Sequence, residues 1–174
     1  MLTQNPYIVP LSREVVIGTV KMGKDHPLVI QSMANTPTHN VGESLEQCLR
    51  IIEAGGEMVR FTTQGKREVN SLARIKKELA DRSITISLVA DVHFNPAVAE
   101  EAAGVCDKVR INPGNFAEKL KQHFDPDNPA ALEAARTENR EQFLALIRTC
   151  KLTQTAIRVG VNHGSLSRRI MATH

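Results

Sequence analysis

Short apolar runs alternate along the chain with longer segments that carry apolar residues at helical spacing. Five runs rich in Val and Ile are typical of buried strands and cover residues 27–33, 57–62, 84–90, 107–112 and 155–161. The intervening segments predict helices over residues 42–54, 66–80, 96–103 and most of 116–152, with a break at 125–130. A further β-rich run, 15–23, is separated from 27–33 by a turn-forming stretch that begins at Gly23. We therefore expect these two runs to form a lead-in hairpin whose second strand enters the main sheet.

Strands that alternate with helices in this way predict an α/β fold with a parallel sheet covered by helices. A doubly wound sheet and a barrel share the pattern. The junction after the first strand reads QSMANTPTHN and has no G-x-G-x-x-G, which favours the barrel. A complete (β/α)8 TIM barrel needs about 250 residues, and the chain has 174. We expect the first five β/α units of such a barrel over residues 27–174, after a lead-in and hairpin over residues 1–26.

Charge and cysteine content narrow the class of function. The chain has 22 Lys and Arg against 19 Asp and Glu, a net charge of +3, with the two signs interspersed. This mixture argues against a nucleic-acid-binding stripe but suits a small anionic ligand. Cys48, Cys106 and Cys150 lie far apart and form no C-x-x-C pair, so no metal site is expected among them. The sequence shows neither a targeting segment nor an apolar run of membrane-spanning length, and we expect a bacterial cytoplasmic protein without a membrane partner.

Polar residues mark the carboxyl ends of the predicted strands, where ligands bind in parallel α/β sheets. Side chains two positions apart share a face of a strand, and the polar residues fall into such sets: Arg60 with Thr62, Asp91 with His93, Arg110 with Asn112, and Arg158 with Gly160 and Asn162. The residues between them are apolar, as Val59, Phe61, Val109, Ile111, Ile157, Val159 and Val161 show. We expect the apolar set to face the helices and the polar set to face the barrel interior.

Three arginines inside strands are unusual, because an arginine is rarely buried without a partner. Each could pair with an internal acid or extend to water at a strand edge. We expect Asp91 to satisfy one of them and not three, so the set favours an anion pocket, for which the planar guanidinium suits phosphate oxygens.

The other candidate residues each have two interpretations or a bland one. His93 is either structural or, beside Asp91, an acid–base group. Asn112 and Asn162 either bind the ligand or bridge backbone loops. Gly114 and Gly164 are expected in tight turns, and Lys66, Lys76 and Lys77 on solvated helix faces.

Five segments in chain order carry a resemblance to a known family. They read QSMANTPT, VRFTTQGKREV, LVADVHFNP, VRINPGNF and IRVGVNHGSLSRRIM. Together they resemble the 4-hydroxy-3-methylbut-2-enyl diphosphate synthase family of the methylerythritol phosphate route to isoprenoids. The QGK and NHGSLS stretches resemble its longer branch, which includes the plant-type and chlamydia-like proteins.

The resemblance implies a TIM barrel that binds 2-C-methyl-D-erythritol 2,4-cyclodiphosphate. It implies that the diphosphate is held by side chains at strand ends, here Arg60, His93, Arg110, Asn112, Arg158 and Asn162, with Asp91 nearby. It further implies a C-terminal domain with a [4Fe–4S] cluster, held by three cysteines and a glutamate. Ferredoxin or flavodoxin supplies electrons through this cluster, and the cyclic diphosphate is reductively opened. A homodimer is expected for the full-length protein.

The chain departs from that family by ending soon after the fifth strand. The last three barrel strands and the cluster domain have no counterpart in it, and its cysteines match no cluster-ligand pattern. We therefore expect an N-terminal substrate-binding fragment that holds no cofactor and is inactive alone. Two alternatives remain open at this point. One is a non-catalytic partial-barrel module for an anionic metabolite, and the other is a pteroate-synthase-like phosphate-handling barrel.

Overall fold

Residues 12–113, 115–116 and 128–162 are described by a computed structural model, apart from the side chains of residues 129 and 132. An antiparallel hairpin comes first, made of β1 (Val15–Ile17) and β2 (Val20–Met22). Strands and helices then alternate: β3 (Gln31–Met33), α1 (Val41–Glu53), β4 (Met58–Thr63), α2 (Lys66–Asp81), β5 (Ser87–Val92), α3 (Pro96–Ala103), β6 (Lys108–Ile111), α4 (Pro129–Thr153) and β7 (Ala156–Val159).

The five strands β3 to β7 form one parallel sheet in chain order. Sequential parallel strands joined by helices are the arrangement of a TIM barrel. Within the described residues, β3 and β7 each pair on one side only, so the barrel is not closed. The predicted α/β class and the five-unit partial barrel are confirmed.

Asparagine caps start three of the four helices that the described residues contain. The side chain of Asn40 accepts a hydrogen bond from the backbone of Glu43 at the start of α1, and Asn95 accepts one from Val98 in α3. Asn128 caps α4 in the same way. These caps satisfy backbone donors that have no partner inside the helix. They also explain why the predicted helix positions agree with the structure to within a few residues.

The two faces of each central strand have different surroundings. On β5, Leu88, Ala90 and Val92 belong to the main core, which also includes the buried faces of the helices. Val89 lies on the opposite face, in a smaller core with Ile17 of the hairpin and Met58 of β4. The predicted alternation of apolar and polar positions therefore holds on the central strands. At the β7 edge, in contrast, Val159 and Val161 are exposed rather than covered by a helix.

The predicted partner of the first hairpin strand is wrong. Residues 15–23 turn back on themselves at Gly18, whose φ of +57° suits glycine, and 27–33 forms no part of the hairpin. The carbonyl of Ile17 accepts a hydrogen bond from Ser87 Oγ at 2.7 Å, and the Ile17 side chain is buried. The hairpin thus covers the N-terminal end of the barrel interior. Only Gln31–Met33 enters the sheet, and Leu28 before it is 98% exposed.

Strand β5 begins three residues later than predicted. Helix α2 ends in a turn in which Ser83 adopts a φ of +59° and the backbone N–H of Ile84 bonds the carbonyl of Leu79. Because Ile84 belongs to this turn, the chain joins the sheet only at Ser87. The side chains of Ile84 and Ile86 still pack on the core. Strand β5 also ends two residues later than predicted, at Val92, and therefore includes Asp91, which places that carboxylate inside the sheet.

Several expectations fall outside the described residues. These are the turns at residues 114 and 164, the helical stretch over 117–127 and the segment from 163 onward. Within the parts of the chain that are described, no helix is long and apolar enough to cross a membrane. The division between a lead-in over residues 1–26 and a barrel over 27–174 stays a prediction.

Candidate functional site

Asp91 is the centre of the polar cluster inside the partial barrel. Its carboxylate is 3% exposed and lies at the carboxyl end of β5, in register with Arg110 on β6. The two oxygens bind different arginines: Oδ2 is 3.2 Å from Arg60 Nη2, and Oδ1 is 3.2 Å from Arg110 Nη1. The expectation that Asp91 satisfies one arginine is therefore wrong, because its two oxygens face neighbours on both sides.

His93 joins the same cluster through its Nε2 atom, which lies 2.8 Å from Arg110 Nη1 and 3.4 Å from Asp91 Oδ1. A guanidinium has only donors, so His93 Nε2 accepts in this contact. The ring proton of the neutral histidine then lies on Nδ1. In this arrangement His93 orients Arg110.

Gly160 holds Arg110 from the other side. Arg110 Nη2 donates to the Gly160 carbonyl at 3.0 Å, and a Cβ placed on Gly160 would lie 2.6 Å from Arg110 Nε. No side chain fits there unless the guanidinium moves. Arg110 is thus fixed by Asp91, His93 and the β7 backbone together.

The remaining predicted residues lie at the same end of the sheet with different exposure. Asn112 is buried beyond the end of β6, whereas Arg158 and Asn162 are exposed. Arg158 is in register with Arg110 and makes no ion pair with a described residue. The structure therefore brings Arg60, Asp91, His93 and Arg110 into direct contact, while Arg158 borders them.

Lys108 is a member of the interior set that the sequence analysis missed. It is 5% exposed, and its Nζ donates to Gln31 Oε1 at 3.0 Å and lies 3.5 Å from Met58 Sδ. Burial, together with the positive charges of Arg158 and Arg60, lowers the pKa of Lys108 to about 8. The alternation of side chains along a strand could have identified it, because Lys108 is two positions before Arg110 and so shares its face.

Met33 is a second side chain that the sequence did not single out as a partner. Arg60 Nη2 lies 3.1 Å from Met33 Sδ on the neighbouring strand. The Nε atom of Arg60 is buried and has no hydrogen-bond partner among the described residues. A guanidinium donor without an acceptor is costly to bury, and an anion would satisfy it.

The site carries an excess of positive charge. Arg60 and Arg110 share the carboxylate of Asp91, and Lys108 and Arg158 add two more positive charges on the same interior face, which leaves a formal +3 if His93 is neutral. Buried charge of one sign attracts the opposite sign more strongly than it would in water. The arrangement is suited to a ligand with more than one negative charge, and a diphosphate has this character.

The acids at the strand starts belong to the opposite end of the sheet. Asp107 accepts from the backbone of Leu88 at 2.8 Å, and Glu57 accepts from the backbone of Ile30 at 2.9 Å. Lys76 is not simply solvated, because its Nζ donates to the Val105 carbonyl at 2.8 Å and to Asp107 at 3.1 Å. Lys76 is nevertheless 46% exposed, as expected for a solvated helix position.

The other two helix lysines also have acidic neighbours. Lys66 pairs with Glu101 across helices, and Lys77 pairs with Asp81 one turn along α2. Both side chains are three-quarters exposed, as expected for solvated helix positions.

The cysteines do not fit a cluster or metal site. All three are buried in the main hydrophobic core, and burial raises the pKa of Cys48 to about 11, of Cys106 to about 12 and of Cys150 to about 11. Metal ligation requires the thiolate, which this environment disfavours. Among the described residues no group of three or more His, Cys, Asp or Glu side chains could hold a metal ion.

Comparison with known proteins shows the family. A family profile described as the GcpE TIM-barrel domain matches residues 12–174. The chain belongs to the GcpE family. The expected resemblance is confirmed, and the site lies inside the matched GcpE domain.

Relatives of this GcpE chain include bacterial and plant proteins. A Parabacteroides distasonis protein named 4-hydroxy-3-methylbut-2-en-1-yl diphosphate synthase (flavodoxin) is 47% identical over 163 residues, which cover 91% of this chain and 26% of that protein. A Protochlamydia amoebophila protein of the same name is 45% identical, covering 92% and 25%. The chloroplastic ferredoxin-type enzyme of Oryza sativa subsp. japonica is 40% identical, covering 92% and 22%. The chain spans about a quarter of the length of these relatives.

A solved structure gives a likeness of fold. The GcpE chain is similar to Burkholderia cenocepacia dihydropteroate synthase complexed with 7,8-dihydropteroate, with a TM-score of 0.51 and 16% identity, covering 88% of this chain and 65% of that one. At this identity the likeness concerns the α/β barrel architecture alone.

Proposed function

We propose that this chain is the substrate-binding N-terminal barrel segment of a 4-hydroxy-3-methylbut-2-enyl diphosphate synthase. The observation that carries the proposal is the excess of cations on the interior face of the GcpE sheet, where Arg60 and Arg110 share the carboxylate of Asp91 and Lys108 and Arg158 add positive charge. The proposed ligand is 2-C-methyl-D-erythritol 2,4-cyclodiphosphate, whose two phosphate charges complement the cation excess.

Each side chain has a distinct role in this proposal. Arg158 is exposed and has its guanidinium donors available for phosphate oxygens. Arg60 and Arg110 contribute positive charge from fixed positions, because Asp91 holds one on each of its oxygens. Asp91 is a positioning residue, since its own charge repels a phosphate. The buried Asn112 and the exposed Asn162 are proposed as amide donors, and an acid–base role for His93 or Asp91 stays a prediction.

The activity of the whole protein belongs to the same proposal. The printed names of the relatives support an oxidoreductase that takes electrons from flavodoxin or ferredoxin. We propose reductive opening of the cyclic diphosphate in isoprenoid biosynthesis by a cytoplasmic homodimer. The described residues are proposed to hold and orient the substrate. A [4Fe–4S] cluster in that protein would therefore need other residues as its ligands.

The test is calorimetric titration of methylerythritol cyclodiphosphate into the complete polypeptide that the gene encodes. Arg110→Ala is compared with Arg74→Ala, which removes the same charge from an exposed position on α2. Loss of a charge-assisted arginine–phosphate interaction of about 1.5–3 kcal/mol predicts roughly ten- to hundred-fold weaker binding for Arg110→Ala. The Arg74→Ala protein should stay within about two-fold of wild type.

Melting temperatures are measured on both variants, so that unfolding is not mistaken for lost affinity. Wild-type affinity in a folded Arg110→Ala protein would contradict the proposal. Equal affinity of the wild type for inorganic pyrophosphate would favour a general anion-binding module instead.

A further inference from the structure

Lys108 is a buried ammonium group whose surroundings do not supply a negative charge. Its hydrogen-bond partner is the neutral amide of Gln31, and the Met58 sulfur is its other polar neighbour. It makes no ion pair with any residue in the described part of the chain. A buried charge without a counter-charge is strongly unfavourable, so this position calls for a reason beyond packing.

The polar side chains on the strands around Lys108 include three cations and one carboxylate. They are Arg60 on β4, Asp91 on β5 with His93 just beyond it, Arg110 on the same strand β6, Arg158 on β7 and neutral Gln31 on β3. The one carboxylate among them already bridges Arg60 and Arg110. Nothing in this set is left to neutralise Lys108.

Lys108 and the site share one interior face. Lys108 is two positions before Arg110 on β6, and both are in register with interior positions of β5, Val89 and Asp91. A ligand bound at the arginines therefore lies over the same interior as the ammonium group, in a region that the Ile17 core closes from below. In such a poorly hydrated interior the field of an anion extends over several ångströms.

We infer that the bound anion is the missing counter-charge of Lys108, so that ligand binding draws one proton from solvent onto its amine. This inference rests on the proposed anion site and adds a proton-linked cation that no arginine can supply, because an arginine keeps its charge at all accessible pH values. The lowered pKa of about 8 is consistent with it, because the free amine is then partly neutral under mildly alkaline conditions.

The first test uses the wild type of the complete polypeptide. Methylerythritol cyclodiphosphate is titrated at pH 8.5 in Tris and in tricine, whose ionisation enthalpies differ, so the difference in binding enthalpy reports protons exchanged. With a free pKa of about 8, Lys108 should take up roughly three quarters of a proton per ligand. The ligand itself neither takes up nor releases a proton at this pH, because each of its phosphate groups lacks the second ionisation that a phosphate monoester has at about pH 6. No proton uptake overturns the inference.

The second test compares Lys108→Met with Lys77→Met, a matched loss of an exposed lysine. Lys108→Met should bind about ten-fold more weakly at pH 7 and lose the proton uptake. Wild-type affinity should fall above pH 8, whereas that of Lys108→Met should not change with pH over that range. Lys77→Met should behave as wild type throughout. Unchanged affinity, or uptake that persists without Lys108, overturns the inference.

Stability separates this role from a structural one. Methionine in place of a buried, unpaired lysine should leave the melting temperature unchanged or raise it, while affinity falls. If Lys108→Met does not fold, the wild-type buffer comparison still decides. If the wild type binds and Arg110→Ala weakens binding, but no proton is taken up, the proposed function stands and only this inference fails. If the wild type does not bind the cyclodiphosphate, both fail.

Discussion

Arg110 and Gly160 fit together across the β6–β7 boundary, with the guanidinium donating to the Gly160 carbonyl at 3.0 Å in space that a methyl group would fill. The glycine thereby sets where the arginine lies. Gly160 is part of the anion site because, without a Cβ atom, it leaves room for the guanidinium of Arg110.

Gly160→Ala should displace Arg110 and weaken binding of the cyclodiphosphate about ten-fold or more, by the loss of an oriented arginine contact. The overlap is with the end of a flexible side chain, so the cost in melting temperature should be small. Gly42→Ala is the matched control, because its nearest neighbour is 3.9 Å away. Equal affinities of the two alanine variants, measured by calorimetry, would show that Arg110 need not be held there.

Asp91→Asn removes the carboxylate that Arg60 and Arg110 share. Two partly buried arginines then face each other without a counter-charge, which should lower the free energy of unfolding by about 2 kcal/mol or more. Added pyrophosphate should raise the melting temperature of this variant more than that of wild type, because the anion replaces the lost charge. The exposed Asp81→Asn serves as control. An identical response to pyrophosphate in all three proteins would contradict this account.

Two adjacent lysines on α2 should differ in their effect on stability. Lys76 reaches the Val105 carbonyl and Asp107, whereas Lys77 pairs with Asp81 on its own helix in solvent. Lys76→Ala should cost about 1 kcal/mol in denaturant unfolding, and Lys77→Ala distinctly less, because an ion pair exposed to water contributes little to stability. Neither should alter ligand affinity, because both lie away from the carboxyl ends of the strands. A larger loss for Lys77→Ala would show that the tie from helix to strand is not what stabilises this region.

Produced as residues 1–174, the chain should self-associate. Strands β3 and β7 have unpaired edges within the described residues, and Leu28, Ile30, Val159 and Val161 are exposed beside them. Open strand edges with apolar neighbours are sites of association. Sedimentation velocity should show species larger than the monomer, and Leu28→Lys with Val159→Lys should reduce them. A monodisperse monomer with a sharp melting transition would contradict this prediction.

The polar side chains that face the barrel interior were predictable from sequence, because side chains alternate between the two faces of a strand and the apolar positions fix which face is which. Once Val109 and Ile111 are assigned to the core, Arg110 must face the interior. The sharing of Asp91 was not predictable, because it depends on register. Asp91 is opposite Arg110 and one interior position beyond Val89, the register partner of Arg60. That offset lets each carboxylate oxygen reach a different arginine, and no pattern within one strand encodes it.

The hairpin shows where local signals are insufficient. Glycine occurs both at position 18 and at position 23, and each has a positive φ in the structure. Turn propensity alone does not distinguish them. The choice is made by tertiary contacts, since a turn at Gly18 buries Ile17 against Met58 and Val89 and lets Ser87 bond its carbonyl.

The apolar core around Ile17 of that hairpin also shapes the electric field of the molecule. Its side chains form a region of low polarisability beneath the cations, so field lines leave preferentially toward solvent on the side of the exposed Arg158. Diffusing anions are then guided toward that side from beyond contact distance. The association rate constant of a dianionic ligand should accordingly decline as salt is added, with a steeper slope than its dissociation rate constant.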